Sequence, residues 1–123
     1  MRSKLMLFAA AAALVSFAVT AEATVLRVVV VQTGDVAAYV KEIERGKELM
    51  KKAGMTGQIR VWRARFAGDE TGAIAVGIEY ADLATFAADD KKMQTDPDVA
   101  AWLKGLDKLR KVVSDSIYDE LKP

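Results

Sequence analysis

The chain has 123 residues, of which 52% are hydrophobic and 28% charged, with 18 basic and 17 acidic side chains. This size and composition are typical of one globular domain, and the near-zero net charge argues against nucleic-acid binding through phosphate neutralisation. Cysteine, histidine and asparagine are absent. Their absence excludes disulfides, histidine-based catalytic triads and histidine-bound haem or zinc, so we expect no metal and no resident cofactor.

Residues 1–23 have the features of a secretory signal peptide. A basic start is followed by an apolar run over residues 5–19 and by an alanine-x-alanine site that ends at Ala23. The apolar run is shorter than the roughly 20 residues that a membrane-spanning helix needs. We therefore expect cleavage between Ala23 and Thr24, export to the periplasm or the exterior, and no stable membrane anchor afterwards. The remaining domain, residues 24–123, carries 16 basic and 16 acidic side chains.

The first elements after this segment are a strand and a helix. Residues 25–33 are rich in valine, which predicts a strand. Asp35 is a good helix N-cap, and apolar residues recur at helical spacing until Gly54, a natural helix stop.

A β-hairpin is predicted next. Residues 58–66 and 73–80 read as strands, and the segment between them contains Gly68 and Gly72, which favour a turn. A five-residue loop would place Arg63 opposite Gly77.

A second helical region begins after Asp82 and is interrupted at Asp96 and Pro97, a pair that ends one helix and starts another. A last strand is predicted over residues 112–118. The order β-α-β-β-α-β predicts an α+β, ferredoxin-like fold, a four-stranded antiparallel sheet with its helices on one face. The other face is left bare, and a bare apolar face usually has a partner.

The predicted hairpin register assigns side chains to the two faces of the sheet. It turns Trp62 and Tyr80 towards the helices, where the paired residues are almost wholly apolar. With Arg27, Val29, Val31 and Thr33 of the first strand assigned to the open face, that face carries a polar group among valines, formed by Arg27, Arg63, Arg65 and Glu79.

These four residues are the candidate ligand-binding site. Arg63 and Arg65 oppose small residues, and two guanidinium groups beside free space suit a carboxylate or phenolate held by forked hydrogen bonds. Glu79 would serve as a base if desolvated, or as the ion-pair partner of Arg27. The alternative for the whole group is a set of ion pairs at an interface. Catalytic residues are not assigned.

Residues 79–86, 93–102 and 116–121 resemble the dimeric α/β-barrel superfamily, which includes antibiotic-biosynthesis-type monooxygenases, muconolactone isomerases, chlorite-dismutase-like haem proteins and NIPSNAP-like proteins. The resemblance implies that two protomers face their open sheets together as a homodimeric barrel. It also implies a histidine, often with an asparagine, for haem or isomerase chemistry, and this chain has neither. Of the residues that cofactor-free oxygenases use, Trp62, Tyr80 and the two arginines are present.

The sequence therefore predicts an exported homodimer that binds a small aromatic or anionic molecule between its sheets. Two alternatives stay open at this point. One is a cofactor-free monooxygenase or isomerase of the antibiotic-biosynthesis type, and the other is a purely structural dimer with a filled barrel. The missing histidine, cysteine and asparagine favour a non-catalytic role.

Overall fold

The computed structural model describes residues 23–123, which form four strands and three helices. The signal-peptide prediction falls on residues 1–22, outside the described residues, and stays a prediction. The elements are β1 (Val25–Gln32), α1 (Val36–Lys52), β2 (Gln58–Arg63), a 3-10 turn (Gly68–Glu70), β3 (Ile74–Tyr80), α2 (Leu83–Thr95), α3 (Pro97–Leu106) and β4 (Lys111–Asp119).

The four strands form one antiparallel sheet in the order β2-β3-β1-β4. The helices pack on one face, and the core lies between them and the sheet. Its most deeply buried large side chains come from β1, α1 and α3: Val25, Val31, Tyr39, Ile43, Val99 and Leu106. The α+β, ferredoxin-like fold predicted from the sequence is confirmed, with its second helical region divided into α2 and α3.

Each helix starts at an aspartate, as the sequence predicts. Asp35 accepts a hydrogen bond from the Ala38 amide at 3.0 Å, and Asp82 accepts one from the Thr85 amide at 2.7 Å. Asp96 caps α3, whose first residue is proline. These caps satisfy amide groups that the first helical turn leaves unpaired. Within residues 23–123, no helix combines the length and apolar character that a membrane span requires.

The predicted register of the β2–β3 hairpin is wrong by three residues. The Ala64 amide donates to the Ala73 carbonyl at 2.9 Å, the Gly72 amide donates to the Ala64 carbonyl at 2.8 Å, and Arg63 stands opposite Ile74 instead of Gly77. The loop is longer than expected because the 3-10 turn and two glycines at positive φ, 57° and 91°, reverse the chain over residues 65–72. Side chains alternate along a strand, so an odd shift exchanges the two faces of β2.

The exchange exposes a tryptophan that was expected in the core. Trp62 lies on the open face and is 57% exposed, whereas Ile59 and Val61 pack against the core. Tyr80, by contrast, faces the helices as predicted and is buried against the Phe86 ring at a centroid distance of 5.3 Å. The open face thus carries the more aromatic side of β2.

Candidate functional site

The structure does not bring the four predicted site residues together. Arg27 lies on the helix side of the sheet, and Glu79 lies on the open face. Arg63 is the last residue of β2, and Arg65 is exposed in the following loop. The prediction that these residues share one face is therefore wrong, because it depended on the hairpin register and on placing Arg27 with the outward side chains of β1. Whether any of them binds a ligand stays a prediction.

A cavity of about 280 Å³ lies between the helices and the sheet. We call it the helix-side cavity. Its walls are mainly apolar side chains of the core, among them Val29, Ile43, Val76, Met93, Trp102 and Leu106. Its polar lining consists of Arg27, Asp90, Gln94, Asp107, Arg110 and Asp115. Such a space, apolar with a few polar groups on its wall, is the ordinary form of a small-molecule site.

Arg27 forms ion pairs with two of the aspartates of this lining. Its Nε donates to Asp115 Oδ1 at 2.9 Å and its Nη2 donates to Asp115 Oδ2 at 2.7 Å, a forked ion pair between β1 and β4. Its Nη1 lies 3.5 Å from Asp90 Oδ1 on α2. The guanidinium therefore ties a central strand to an edge strand and to a helix. Glu79, the partner expected for Arg27, instead accepts a hydrogen bond from Arg60 at 3.2 Å.

The pKa values of Arg27, Asp115 and the neighbouring Tyr80 are all shifted away from neutral pH. The hydrogen bond from Arg27 holds the pKa of Asp115 below its ordinary value of 3.8, against the opposing effect of burial. The pKa of Arg27 is raised, chiefly by the same hydrogen bond. Burial raises the pKa of Tyr80, beside Arg27, to about 12. At neutral pH the three side chains are thus a carboxylate, a cation and a neutral phenol.

A second group of polar side chains, around Arg110, also lines the helix-side cavity. Arg110 Nη2 lies 3.2 Å from Asp107 Oδ1, and Arg110 Nη1 donates to the buried Tyr39 hydroxyl at 3.2 Å. Asp90 contacts Arg27 through Oδ1 at 3.5 Å, and its Oδ2 accepts from the Gln94 amide at 3.2 Å. The lining as a whole carries two arginines and three aspartates.

The open face of the sheet holds a separate recess of about 340 Å³. Its floor is small and apolar, with Val28 and Gly77 in the middle of the sheet, while Arg60 and Trp62 stand along β2. The Trp62 indole nitrogen would lie 3.6 Å from a Cβ placed on Gly77, so the ring leans over that glycine. The recess is shallow, because Leu26, Trp62 and its charged neighbours are largely exposed.

Sequence reasoning missed Asp90 as a member of the site and Asp115 as the partner of Arg27. Neither residue sits in a motif, and Asp115 is 88 residues from Arg27 along the chain. The sequence does offer one signal for Asp115, which is an acidic residue between two serines on the last strand. The face of the sheet on which Asp115 lies is known only once the β1–β4 register is known. In the part of the chain that the structure describes, histidine, cysteine, aspartate and glutamate do not gather in groups of three or more that suit a metal ion.

No family model and no curated protein matches this sequence. Solved structures do match its fold. A NIPSNAP-like domain protein from Burkholderia xenovorans superposes with a TM-score of 0.62 at 10% identity, covering 85% of this chain and 87% of that one. SnoaB from Streptomyces nogalater, a cofactor-independent oxygenase, superposes with a TM-score of 0.60 at 12% identity, covering 82% and 96%.

A third structure, from Bordetella bronchiseptica and described as an antibiotic biosynthesis monooxygenase, has a TM-score of 0.56 at 10% identity, covering 83% of this chain and 99% of that one. These likenesses define the class of fold. The chain has the ferredoxin-like α+β fold shared by NIPSNAP-like and antibiotic-biosynthesis-monooxygenase-like proteins, and the resemblance predicted from the sequence is confirmed at that level. At such low identity the likeness extends to the fold alone.

Proposed function

We propose that this protein is an exported homodimer that binds a small, largely apolar molecule in the helix-side cavity of each protomer. The observation that carries the proposal is the cavity itself, about 280 Å³ of space walled by core side chains and bordered by the Arg27–Asp115 pair. A binding role is favoured over proton transfer because the pKa values of Arg27, Asp115 and Tyr80 are all shifted away from neutrality.

The open face supports the homodimer part of the proposal. Leu26, Trp62 and Tyr118 are large apolar side chains exposed on this face, at 38%, 57% and 56%. Contiguous apolar surface of this kind is typical of a protein–protein interface, and tryptophan and tyrosine are common at the centres of interfaces. A second copy packed on this face would cover the recess beside Trp62, which is why we assign the ligand to the helix side of the sheet.

Export is proposed from the sequence alone, on the apolar run and the alanine-x-alanine site that ends at Ala23. Expression of the full chain in a bacterial host and mass spectrometry of the exported fraction tests it. A mature chain that begins at Thr24 supports export. Full-length protein retained in the cytoplasm or the membrane contradicts it.

Ligand binding is tested on the purified protein with naphthylmethanol, a neutral aromatic probe, followed by amide chemical shifts in NMR. We expect saturable shifts in residues that line the helix-side cavity. Val112 lines this cavity and is half-exposed on β4, so Val112→Trp should cover part of the opening and weaken binding at least about tenfold.

Val113→Trp is the matched control, since Val113 is equally exposed but does not line the cavity. It should bind the probe like the wild type. Shifts on the open face with none at the cavity would overturn the assignment of the site, and no saturable shifts at all would overturn the binding function.

A cofactor-free oxygenase is the second candidate, favoured by the fold shared with SnoaB, which is a cofactor-independent oxygenase. It predicts oxygen consumption by the purified protein with aromatic quinols and no added cofactor. Consumption that Val112→Trp abolishes would replace the binding function with this one.

A further inference from the structure

The Arg27 guanidinium has a carboxylate partner at each of its three nitrogens. Nε and Nη2 are held by Asp115 at 2.9 and 2.7 Å, and Nη1 faces Asp90 at 3.5 Å. A forked guanidinium–carboxylate pair uses the same geometry that would recognise an anionic ligand. An incoming carboxylate would therefore have to displace Asp115 before it reached Arg27.

The charges that line the helix-side cavity leave one carboxylate in excess. Arg27 is matched by Asp115, and Arg110 is matched by Asp107 at 3.2 Å. Asp90 remains, with one long contact to Arg27 and a neutral donor, the Gln94 amide, on its other oxygen. A carboxylate oxygen accepts two hydrogen bonds, so both oxygens of Asp90 keep room for a further donor.

We infer that the helix-side cavity selects an apolar molecule carrying an amine, with the ammonium group donating to Asp90 and the apolar body lying against the core side chains. In this arrangement Asp115 is the residue that excludes anions, because it occupies Arg27. The inference rests on the proposed binding function and names its ligand class. Asp90 is suited to the role because it lines the cavity while its side chain is only partly exposed, at 37%.

Three probes with the same aromatic body test the inference: naphthylmethylamine, naphthylmethanol and naphthoate. Each is titrated into the wild-type protein, and amide chemical shifts give its Kd. We expect the amine to bind most tightly and the naphthoate most weakly, with a difference of about tenfold between them, since ion pairs at partly exposed sites are modest. Equal binding of the amine and the naphthoate, or tighter binding of the naphthoate, overturns the inference while leaving the binding function intact.

Asp90→Asn removes the charge and keeps the shape. It should bring the Kd of the amine to that of the alcohol and leave the Kd of the alcohol unchanged. Asp69→Asn is the matched control, because Asp69 is an exposed aspartate in the 3-10 turn and does not line the cavity. An amine preference that persists in Asp90→Asn contradicts the assignment to this residue.

Asp115→Asn tests the exclusion of anions. With a neutral partner, Arg27 becomes available to naphthoate, and the Kd for naphthoate should fall at least about fivefold relative to the wild type. Amide spectra of Asp115→Asn establish whether the variant is folded. If it is not folded, the Asp90→Asn titrations still test the inference. If no probe binds the wild type, the binding function itself fails, an outcome distinct from a reversed order of the three probes.

Discussion

Gly46 of α1 and Trp102 of α3 are in direct contact, and the indole ring occupies the space that a side chain at residue 46 would need. A Cβ placed on Gly46 would overlap three atoms of the ring. The indole Nε1 donates to the carbonyl of Glu42, one turn earlier on α1, at 3.0 Å. Trp102 also lines the helix-side cavity, so this contact fixes one wall of the candidate site.

Gly46→Ala should destabilise the fold by about 1–3 kcal/mol, because the added methyl group overpacks the interface between α1 and α3. Alanine is a better helix former than glycine by about 1 kcal/mol, so without the overlap the substitution would stabilise the protein. A loss of stability therefore reports the steric overlap. Gly105→Ala is the matched control, since Gly105 is also helical and a Cβ there would meet no atom within 4 Å. Urea unfolding should show Gly105→Ala to be neutral or stabilising, and a neutral Gly46→Ala would contradict the contact.

Asp89 links α2 to the start of β2 and is the only fully buried charged residue among those the structure describes. Its Oδ2 accepts the amides of Thr56 and Gly57 at 3.0 and 2.8 Å. Asp89→Ala should lower the free energy of unfolding by about 2–4 kcal/mol, since it leaves two amides without an acceptor. Asp90→Ala, at the half-buried neighbour, should lower it by less than about 1 kcal/mol. If thermal or urea unfolding gave equal losses for the two variants, the hydrogen bonds of Asp89 would contribute no more to stability than the contacts of Asp90.

Acid should weaken the fold partly through Asp115. Because Arg27 lowers the folded-state pKa of this carboxyl below 3.8, its contribution is complete above that pH and is lost as the pH falls through the folded value. The side chain is 41% exposed, so the contribution is less than about 1 kcal/mol. Urea midpoints measured from about pH 6 to about pH 2.5 should decline less in Asp115→Asn than in the wild type. If the urea midpoints of the two proteins declined in parallel, this ion pair would have no role in acid sensitivity.

Tyr80 should ionise only in strongly alkaline solution. Burial raises its pKa from 10.0 to about 12, so its neutral form is favoured by folding, and that contribution is lost as the pH rises through about 12. Alkaline titration followed by tyrosinate absorbance should show an ionisation step near pH 12. Tyr80→Phe should remove that step and no other. A late step that survives in the variant belongs to another residue.

Trp62 should be required for the proposed homodimer. Trp62→Glu places a charge in the middle of the exposed apolar surface and should give a monomer in sedimentation analysis, since an unpaired buried charge is costly. Leu83→Glu is the control, because Leu83 is equally exposed, at 58%, but begins α2 on the other side of the sheet. If the wild-type protein were a monomer, or if both variants dissociated, the assignment of the open face as the dimer interface would be contradicted.

The sequence by itself was sufficient for the order of the elements and for most of their ends. Asp35, Asp82 and Asp96 were expected to start helices and do so, with Pro97 as the first residue of α3. These signals are local, because a cap and a hydrophobic period depend on a few neighbouring residues. The ferredoxin-like fold followed from that order, and so did the expectation of one uncovered sheet face.

Only the tertiary structure decided which side chains share a face. The expected register placed the more apolar set of β2, including Trp62, against the helices, and the chain does the reverse. Side chains alternate between the two faces of a strand, so a register shift by an odd number of residues exchanges the faces of β2. The shift depends on the length of the loop, which the residues of the strand do not determine. Arg27 contacts Asp115 rather than Glu79 because Arg27 lies on the helix face of β1, opposite to the face expected for it. Their contact depends on the pairing of β1 with β4, the first and last strands of the chain, which places residues 88 positions apart side by side.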